Sequence, residues 1–122
     1  GDIVLHAISD ALLGAGGLRD IGYYFPDTDS KNKNLSSLKI IEKSLDLLKE
    51  QGLQPRNIDF VVVCEQPKIG PYVDQLKKSL SGILNIEENL IGVKATTTEG
   101  MGVIGEGNGI AVYSIASLRN LQ

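Results

Sequence analysis

The sequence predicts a single α/β or α+β sandwich in which helices pack on one face of a β-sheet. Three apolar segments have the spacing of amphipathic helices, three short runs are typical of strands, and the two kinds alternate along the chain. Such alternation favours two layers packed around one core. The 122 residues suit one domain, since a domain commonly holds roughly 100–200 residues. The chain shows neither internal repeats nor an interdomain linker.

The three predicted helices bring apolar side chains to one face at intervals of three or four residues. The first is expected to stop at Gly14, and its apolar stripe comprises Val4, Leu5, Ile8, Ala11 and Leu12. The second begins after an N-cap at Ser36 or Ser37 and ends at Gly52. The third begins at Pro71, because proline is favoured in the first helical turn.

The remaining segments are predicted as strands and loops. The three strands are placed at 58–64, 90–95 and 110–118. Residues 15–34 are rich in Gly, Asp, Asn and Pro and predict a long loop, and residues 100–109 predict a glycine-rich loop. Long loops in compact domains are commonly functional or disordered. Cys64 ends an apolar run and is expected in the core.

Composition and charge exclude several classes of function. The chain carries 12 basic and 15 acidic residues, a net charge of −3, whereas nucleic-acid binding needs clustered Lys and Arg. No apolar run approaches the roughly 18 residues of a membrane span. One Cys and one His preclude an intrachain disulfide and a zinc site of four His and Cys ligands within this chain. The single Cys suits a reducing compartment.

Two apparent motifs lack the context that their function requires. Residues 100–105 match the pattern G-x-G-x-x-G, but a dinucleotide site also needs a helix that opens there and an acidic residue about 20 positions later. Further glycines disfavour that helix, and the chain ends too soon for the acidic residue. Residues 27–29 begin like an EF-hand loop, but the Gly and Glu required at its sixth and twelfth positions are missing.

Two further segments each leave two interpretations open. His6 lies on the polar face of the first helix, where it is either an ordinary solvated side chain or a metal ligand whose ring is oriented by Asp10. Residues 94–99, with the sequence Lys-Ala-Thr-Thr-Thr-Glu, leave the end of the predicted strand at 90–95 and run into the glycine-rich loop. They form either a Thr-rich strand end or a site whose hydroxyls hold phosphate while the carboxylate holds Mg²⁺.

Five segments combine into one longer pattern with a fixed order and spacing. They are Asp-Ile-Val-Leu-His-Ala-Ile-Ser-Asp-Ala-Leu-Leu-Gly at 2–14, Asp-Ile-Gly at 20–22, Phe-Pro-Asp-Thr-Asp at 25–29, Pro-Lys at 67–68 and Lys-Ala-Thr-Thr-Thr-Glu at 94–99. With these segments the chain closely resembles the 2-C-methyl-D-erythritol 2,4-cyclodiphosphate synthase family. The resemblance covers the whole chain, and its motifs are long and specific to that family.

The resemblance implies an α+β fold with helices on one face of a mixed sheet, and a homotrimer whose sheets meet around a three-fold axis with active sites at subunit interfaces. It implies a phosphorus–oxygen lyase of non-mevalonate isoprenoid biosynthesis. The substrate would be the cytidine diphosphate-linked 4-diphosphocytidyl-2-C-methyl-D-erythritol 2-phosphate, the products the cyclodiphosphate and CMP, and the cofactors Zn²⁺ and Mg²⁺ or Mn²⁺. No nucleic-acid or membrane partner is implied. The location would be the cytoplasm in a bacterium or a plastid-type organelle in a eukaryote.

The resemblance also assigns roles to individual residues. His6 matches the third zinc ligand, and the other two, an Asp-x-His pair, belong to roughly 35 residues of the family pattern upstream of Gly1. Thr96 and Thr97 match residues that hold the diphosphate. From this resemblance we expect Thr97 to orient the transition state and Glu99 to hold Mg²⁺ or Mn²⁺. The implied substrate contacts are Asp20, Ile21, Gly22, Phe25, Pro26, Asp27, Thr28, Asp29, Cys64, Glu65, Gln66, Pro67, Lys68, Ile69, Gly70, Ala95, Thr96, Thr97, Thr98 and Glu99.

The chain departs from the family pattern at four positions. Gly100, Val103 and Glu106 stand where the family commonly has Lys, an aromatic residue and Arg near the trimer axis. Three copies of Glu106 would repel an anion, so we expect no binding of isoprenoid phosphates there. Glu65 replaces the usual Gln. Two alternatives accompany the synthase: a non-catalytic trimeric nucleotide-binding or scaffold protein of this fold, and a fused form with an upstream cytidylyltransferase domain of about 200 residues.

Overall fold

The computed structural model describes residues 2–30, 32, 35–65, 70–105 and 109–122. The α-helices there are α1 Asp2–Ala15, α2 Ile21–Tyr24, α3 Ser37–Glu50, α4 Val73–Leu84 and α5 Gly102–Gly105. The strands are β1 Leu53–Val63, β2 Ile91–Thr96 and β3 Ala111–Asn120, and short 3₁₀ turns cover Gly70–Tyr72 and Glu88–Leu90. None of the described helices combines the length and the apolar character that a membrane-spanning segment requires.

The strands form one mixed sheet in the order β2-β1-β3. β2 runs parallel to the central strand β1, and β3 runs antiparallel to it. Val63, the last residue of β1, pairs with Thr96 of β2 and with Ala111 of β3. The ends of β1 and β2 therefore lie at the same edge of the sheet, where β3 begins. The mixed sheet implied by the family resemblance is confirmed.

Helices cover one face of this sheet and bury the core against it. Ile58, Phe60 and Val62 alternate along β1 and are almost completely buried, as expected of a strand with one face toward the core. They cluster with apolar side chains of α1, α3 and α4, which include Ile8, Leu12, Ile41, Leu48, Leu80 and Leu84. The predicted sandwich with helices on one face is confirmed, and Cys64 lies in this core as expected.

The opposite face of the sheet is largely uncovered in the single chain. Tyr113 and Ile115, which share this face of β3, are 67% and 70% exposed. Asp59 of β1 and Lys94 of β2 form an ion pair beside them. An apolar patch with charged neighbours is typical of a surface that contacts another protein.

The end of α1 differs from the prediction. Gly14 is helical, and the chain leaves the helix through Gly17, whose φ of 75° is left-handed. The Leu18 N–H donates to the Leu13 carbonyl at 2.9 Å, and the Gly17 N–H donates to the Gly14 carbonyl at 3.0 Å. These bonds form a Schellman motif. The predicted stop at Gly14 was wrong because glycine inside a helix costs only about 1 kcal/mol, whereas the left-handed position falls at Gly17.

The first residues of α3 and α4 can also be compared with the predicted helix starts. Ser36 is the N-cap of α3, since its hydroxyl accepts the Lys39 N–H at 3.2 Å. Pro71 lies in the 3₁₀ turn before α4, and the helix begins at Val73. The first of these predictions is confirmed, and the second misplaced the helix start by a short turn.

The other differences concern irregular or very short elements. β1 begins before the predicted 58–64 segment, and a register shift between Pro55 and Asn57 accommodates the proline. The helices α2 and α5 interrupt the predicted loops 15–34 and 100–109. Each has four residues, which is too short for a periodic apolar pattern to reveal it.

Candidate functional site

The first group of candidate residues lies where the two parallel strands end. Glu65 follows β1, and residues 96–100 end β2 and continue beyond it. The Cys64 N–H donates to the Thr96 carbonyl at 3.1 Å and extends the pairing past the end of β1. The two segments therefore lie side by side at the carboxyl edge of the parallel strands, the edge at which open α/β sheets usually bind ligands.

Glu65 joins the two segments through one side-chain oxygen. Its Oε1 accepts the Thr98 N–H at 3.0 Å and the Gly100 N–H at 3.3 Å. The Thr98 hydroxyl lies 3.2 Å from the same oxygen and 2.6 Å from the Met101 carbonyl, and its one proton can serve either acceptor. The resemblance implied substrate contacts for Glu65 and Thr98, whereas in this structure their side chains contact each other.

The loop beyond β2 has a constrained backbone. Glu99 has a φ of 56° and Gly100 a φ of 83°, and the left-handed conformation costs a residue with a Cβ atom roughly 1–2 kcal/mol. A Cβ atom on Gly105 would lie 2.6 Å from the Thr98 hydroxyl oxygen, so α5 packs closely against this loop. Gly100 and Gly105 match the dinucleotide-binding pattern in sequence only. Gly100 permits the left-handed turn, and Gly105 permits the close approach of α5 to the loop.

The same loop presents polar groups to solvent. Thr96 and Glu99 are exposed and Thr97 is half-buried. The Thr97 Oγ1 accepts the Glu99 N–H at 3.1 Å, which leaves the proton of that hydroxyl to donate elsewhere. A hydroxyl donor beside an exposed carboxylate fits a phosphate that shares a divalent cation with the protein.

The second group surrounds a surface cavity beside α1. The cavity has a volume of about 370 Å³, and its walls include His6, Ile21, Gly22, Phe25 and Asp27. A turn shapes the loop that follows, because the Asp29 N–H donates to the Pro26 carbonyl at 3.1 Å across Thr28. The structure therefore brings His6 together with the segments at 20–22 and 25–29.

Asp10 anchors this loop and is not paired with the imidazole of His6. Its Oδ1 accepts the Ile21 N–H at 2.8 Å, while the His6 Nε2 lies 3.1 Å from the Ser37 hydroxyl oxygen. The metal-ligand interpretation of His6 included orientation of its ring by Asp10, and the hydrogen bonds do not show that contact. Asp10 instead ties the start of α2 to α1.

We expect Asp10→Ala to loosen the segment that begins at Ile21. The substitution removes the acceptor of the Ile21 N–H, whereas the Asp20 cap on the Tyr23 N–H at 3.0 Å remains. Amide hydrogen exchange at Ile21 should become roughly fivefold faster, which corresponds to the ~1 kcal/mol of one hydrogen bond. Asp46→Ala removes an exposed carboxylate from α3 and is the control. Unchanged exchange at Ile21 in Asp10→Ala would contradict the anchoring role.

Several predicted residues lie outside the described part of the chain, namely Gln66, Pro67, Lys68, Ile69 and Glu106. Near them, Gly70 opens the 3₁₀ turn before α4. Gly100 and Val103, two of the departures from the family pattern, are exposed. The expected loss of an anion site at a trimer axis stays a prediction.

Sequence spacing alone does not reveal the contacts that hold these groups in place. Ser37 is visible in the sequence only as a potential N-cap, yet its hydroxyl contacts His6 across 31 positions. Glu65 contacts residues 33 and 35 positions away. A signal that could find it is an acidic residue directly after a buried strand, combined with a glycine-rich loop whose amides need acceptors.

The described residues supply single metal donors and no complete metal site. They contain no group of three or more His, Cys, Asp or Glu side chains that could hold an ion. His6 and Glu99 belong to the two separate groups. Their donor types fit the implied ions, because imidazole nitrogen suits Zn²⁺, and Mg²⁺ is usually held by one or two carboxylates together with phosphates. Each ion would need further ligands.

Comparisons with known proteins identify the family of this chain. Residues 1–119 match the model of the YgbB family. A curated relative from Pelotomaculum thermopropionicum, named 2-C-methyl-D-erythritol 2,4-cyclodiphosphate synthase, is 48% identical over 115 residues, which are 94% of this chain and 71% of that protein.

Two solved structures have the same fold. The bifunctional IspDF from Campylobacter jejuni has a TM-score of 0.91 and 38% identity, over 98% of this chain and 32% of that chain. The CDP complex of IspF from Plasmodium falciparum has a TM-score of 0.86 and 35% identity, over 100% of this chain and 73% of that chain. The resemblance noted in the sequence is thereby confirmed, and the chain belongs to the YgbB family.

Proposed function

We propose that this chain is a 2-C-methyl-D-erythritol 2,4-cyclodiphosphate synthase. The family match and the name of the curated relative support the assignment, and CDP in the Plasmodium falciparum complex supports a cytidine-nucleotide ligand. The observation that carries the proposal is the loop at residues 96–100. It brings hydroxyls and an exposed carboxylate to the carboxyl edge of the parallel strands, where a diphosphate and its cation would bind.

The proposed reaction joins two phosphoryl groups of one substrate molecule. An oxygen of the 2-phosphate attacks the β-phosphorus and forms a new phosphorus–oxygen bond. The bond from the β-phosphorus to the oxygen that leads to the α-phosphate breaks, and CMP leaves with that electron pair. Both groups are anionic, so the protein has to position them and compensate their charge. Release of CMP by this intramolecular displacement, without water, makes the enzyme a phosphorus–oxygen lyase.

Thr97 is placed to donate to the reacting diphosphate. Its hydroxyl oxygen accepts the Glu99 N–H at 3.1 Å, so its proton can be directed to a phosphoryl oxygen on which negative charge develops. The hydroxyl of the neighbouring Thr96 donates to the Thr97 carbonyl at 3.4 Å, a long contact, and would turn its proton to a second phosphoryl oxygen when substrate binds. The Thr98 hydroxyl is turned toward Glu65 and the Met101 carbonyl, and so it contributes to the shape of the loop.

Two cations are part of the proposal. When bound, Zn²⁺ and Mg²⁺ or Mn²⁺ neutralise phosphate charge and polarise phosphoryl oxygens. His6 would hold the zinc ion with one ring nitrogen, and Glu99 would hold the second ion with a carboxylate oxygen. The sequence contains one His, so the Asp-x-His ligands of the family pattern would come from outside these 122 residues.

We also propose a homotrimer in which His6 of one subunit and the 96–99 loop of another complete each active site. Two observations support it: the two groups occupy separate places on one chain, and the uncovered sheet face carries Tyr113 and Ile115. Burial of apolar sheet faces against each other is a strong driving force for association.

We expect Ile115→Asp to convert the trimer into monomers. A carboxylate at this position would be buried in each of the three subunits and would lie directly across from Asp59, and both the burial and the like charge are unfavourable. Sedimentation equilibrium should report roughly one third of the parent mass while circular dichroism shows a folded chain. Ile3→Asp, which changes an exposed apolar residue of α1, is the matched control. A trimeric Ile115→Asp protein would contradict this interface.

The proposed partners are other copies of the chain and the cytidine diphosphate-linked substrate. The Pelotomaculum relative comes from a bacterium, and a bacterial protein with this function would act in the cytoplasm. A eukaryotic one would act in a plastid-type organelle.

The function is tested by incubating the full-length protein with the substrate in the presence of Zn²⁺ and Mg²⁺. We expect CMP to accumulate, as measured by ion-exchange chromatography, and to be absent when both cations are chelated. Binding of CDP without any release of CMP from the substrate would overturn the assignment and favour the non-catalytic nucleotide-binding protein.

A further inference from the structure

Two backbone amides converge on Glu65 from either side of Glu99. The Thr98 N–H and the Gly100 N–H donate to the same oxygen at 3.0 Å and 3.3 Å. Backbone amides that converge on one oxygen in this way resemble the nests in which N–H groups bind anions. Here the anion is a carboxylate of the chain itself, which is brought to the loop by the end of β1.

The contact offsets a disfavoured backbone conformation. Glu99 has a left-handed φ of 56°, which a residue with a Cβ atom rarely adopts unless the surroundings enforce it. Hydrogen bonds to an ionised acceptor are roughly twice as strong as neutral ones, so the two bonds to Glu65 favour this conformation. The Glu99 N–H also donates to the Thr97 Oγ1 at 3.1 Å. The directions of the Thr97 and Glu99 side chains therefore both depend on this left-handed conformation of Glu99.

We infer that Glu65 is a positioning residue, which fixes the 97–100 loop in the conformation that Thr97 and Glu99 need to act on the diphosphate and its cation. The inference rests on the proposed function and extends it, because the family resemblance places Glu65 only among the nucleotide contacts. It also explains the departure at this position, since Gln carries an amide oxygen that can accept from the same two donors.

Two substitutions of Glu65 distinguish the role of its acceptor oxygen from the role of its negative charge. Glu65→Ala removes the acceptor, and kcat for CMP release should fall about 10- to 100-fold, because a misplacement of about 1 Å can cost a factor of about 100. The KM for the substrate should change less than threefold. Glu65→Gln keeps one acceptor oxygen and should retain most of the parent kcat. Glu50→Ala is the control, since it removes an exposed carboxylate at the opposite end of β1, roughly 30 Å away.

Two measurements without substrate turnover accompany the kinetics. Mn²⁺ binding in the presence of CDP, followed by electron paramagnetic resonance, should weaken about tenfold in Glu65→Ala and remain parent-like in Glu50→Ala. In NMR spectra of Glu65→Gln, the amide protons of Thr98 and Gly100 should move upfield, because a charge-assisted bond becomes a neutral one. The amide shifts keep the inference testable even if Glu65→Ala does not fold.

Parent-like kcat and Mn²⁺ affinity in Glu65→Ala would overturn the inference. Equal losses in the Ala and Gln variants would also overturn it, because they would make the charge, and not the acceptor geometry, decisive. Unmoved amide protons of Thr98 and Gly100 in Glu65→Gln would overturn it as well. If the parent protein releases no CMP but the Thr98 and Gly100 amide protons move in Glu65→Gln, the proposed function fails while the contact of Glu65 with the loop stands.

Discussion

His6→Ala is expected to remove zinc from the protein. The imidazole of His6 is the one histidine ring in the chain, and it faces the cavity formed with Ile21, Gly22 and Phe25. Loss of a group that merely supports a metal ligand already weakens metal binding about 10- to 100-fold, so loss of a ligand should weaken it further. Metal analysis of the full-length protein should fall from one zinc per subunit to almost none, and CMP release should fall at least 100-fold.

Asp10→Ala provides the matched control for this experiment. Asp10 lies one helical turn from His6 but holds the Ile21 N–H at 2.8 Å rather than the ring. We therefore expect the control to retain its zinc. A His6→Ala protein with unchanged zinc content and an unchanged melting temperature would refute the ligand assignment. Loss of zinc in both variants would point to disruption of the helix–loop packing instead.

Glu99→Gln is expected to impair the dependence on Mg²⁺ more than the binding of zinc. The amide is the same size as the carboxylate and is compatible with the same backbone, so the change removes charge while the φ of 56° persists. A cation that compensates phosphate charge contributes several kcal/mol to catalysis, and its loss should reduce kcat about 100-fold. Titration of CMP release with Mg²⁺ should show a half-saturating concentration at least tenfold higher.

Glu88→Gln is the control for Glu99→Gln. Glu88 is an exposed acid in the 3₁₀ turn before β2, at the opposite edge of the sheet, and its Mg²⁺ titration should coincide with that of the parent. If the Glu99→Gln and parent titrations also coincide, Glu99 is not the ligand. Equal loss of zinc and Mg²⁺ in Glu99→Gln would indicate a general disturbance of the site.

The main elements of the fold could be predicted because their patterns are long. The apolar, β-branched run at 58–64 indicates a buried strand, and the structure has that strand in the centre of the sheet. The polar beginning of β1 around Pro55 carries no such run, so the sequence does not mark the true start. The helix end at Gly17 could not be distinguished from Gly14, because both are glycines after an apolar stripe and only tertiary packing decides between them.

The identities of the candidate site residues could be predicted from the sequence, whereas the hydrogen bonds between them could not. The family pattern points to His6, to Asp20 and to the Thr-rich segment before Glu99. The pairing of Glu65 with Thr98 depends on β1 and β2 being parallel neighbours, and strand order cannot be read from local spacing. Contacts between distant segments of this kind become visible only when the fold is known.

The proposed cyclisation is tested most directly by ³¹P NMR. The spectra are recorded while the full-length protein acts on the substrate, and they show what the β-phosphorus becomes bonded to. Attack by the 2-phosphate of the same molecule predicts two mutually coupled phosphorus resonances of a cyclic diphosphate, which appear in equal amounts with CMP. Uncoupled monophosphate signals beside CMP would mean that water attacks instead. That result would contradict the assignment of this chain as a cyclodiphosphate synthase.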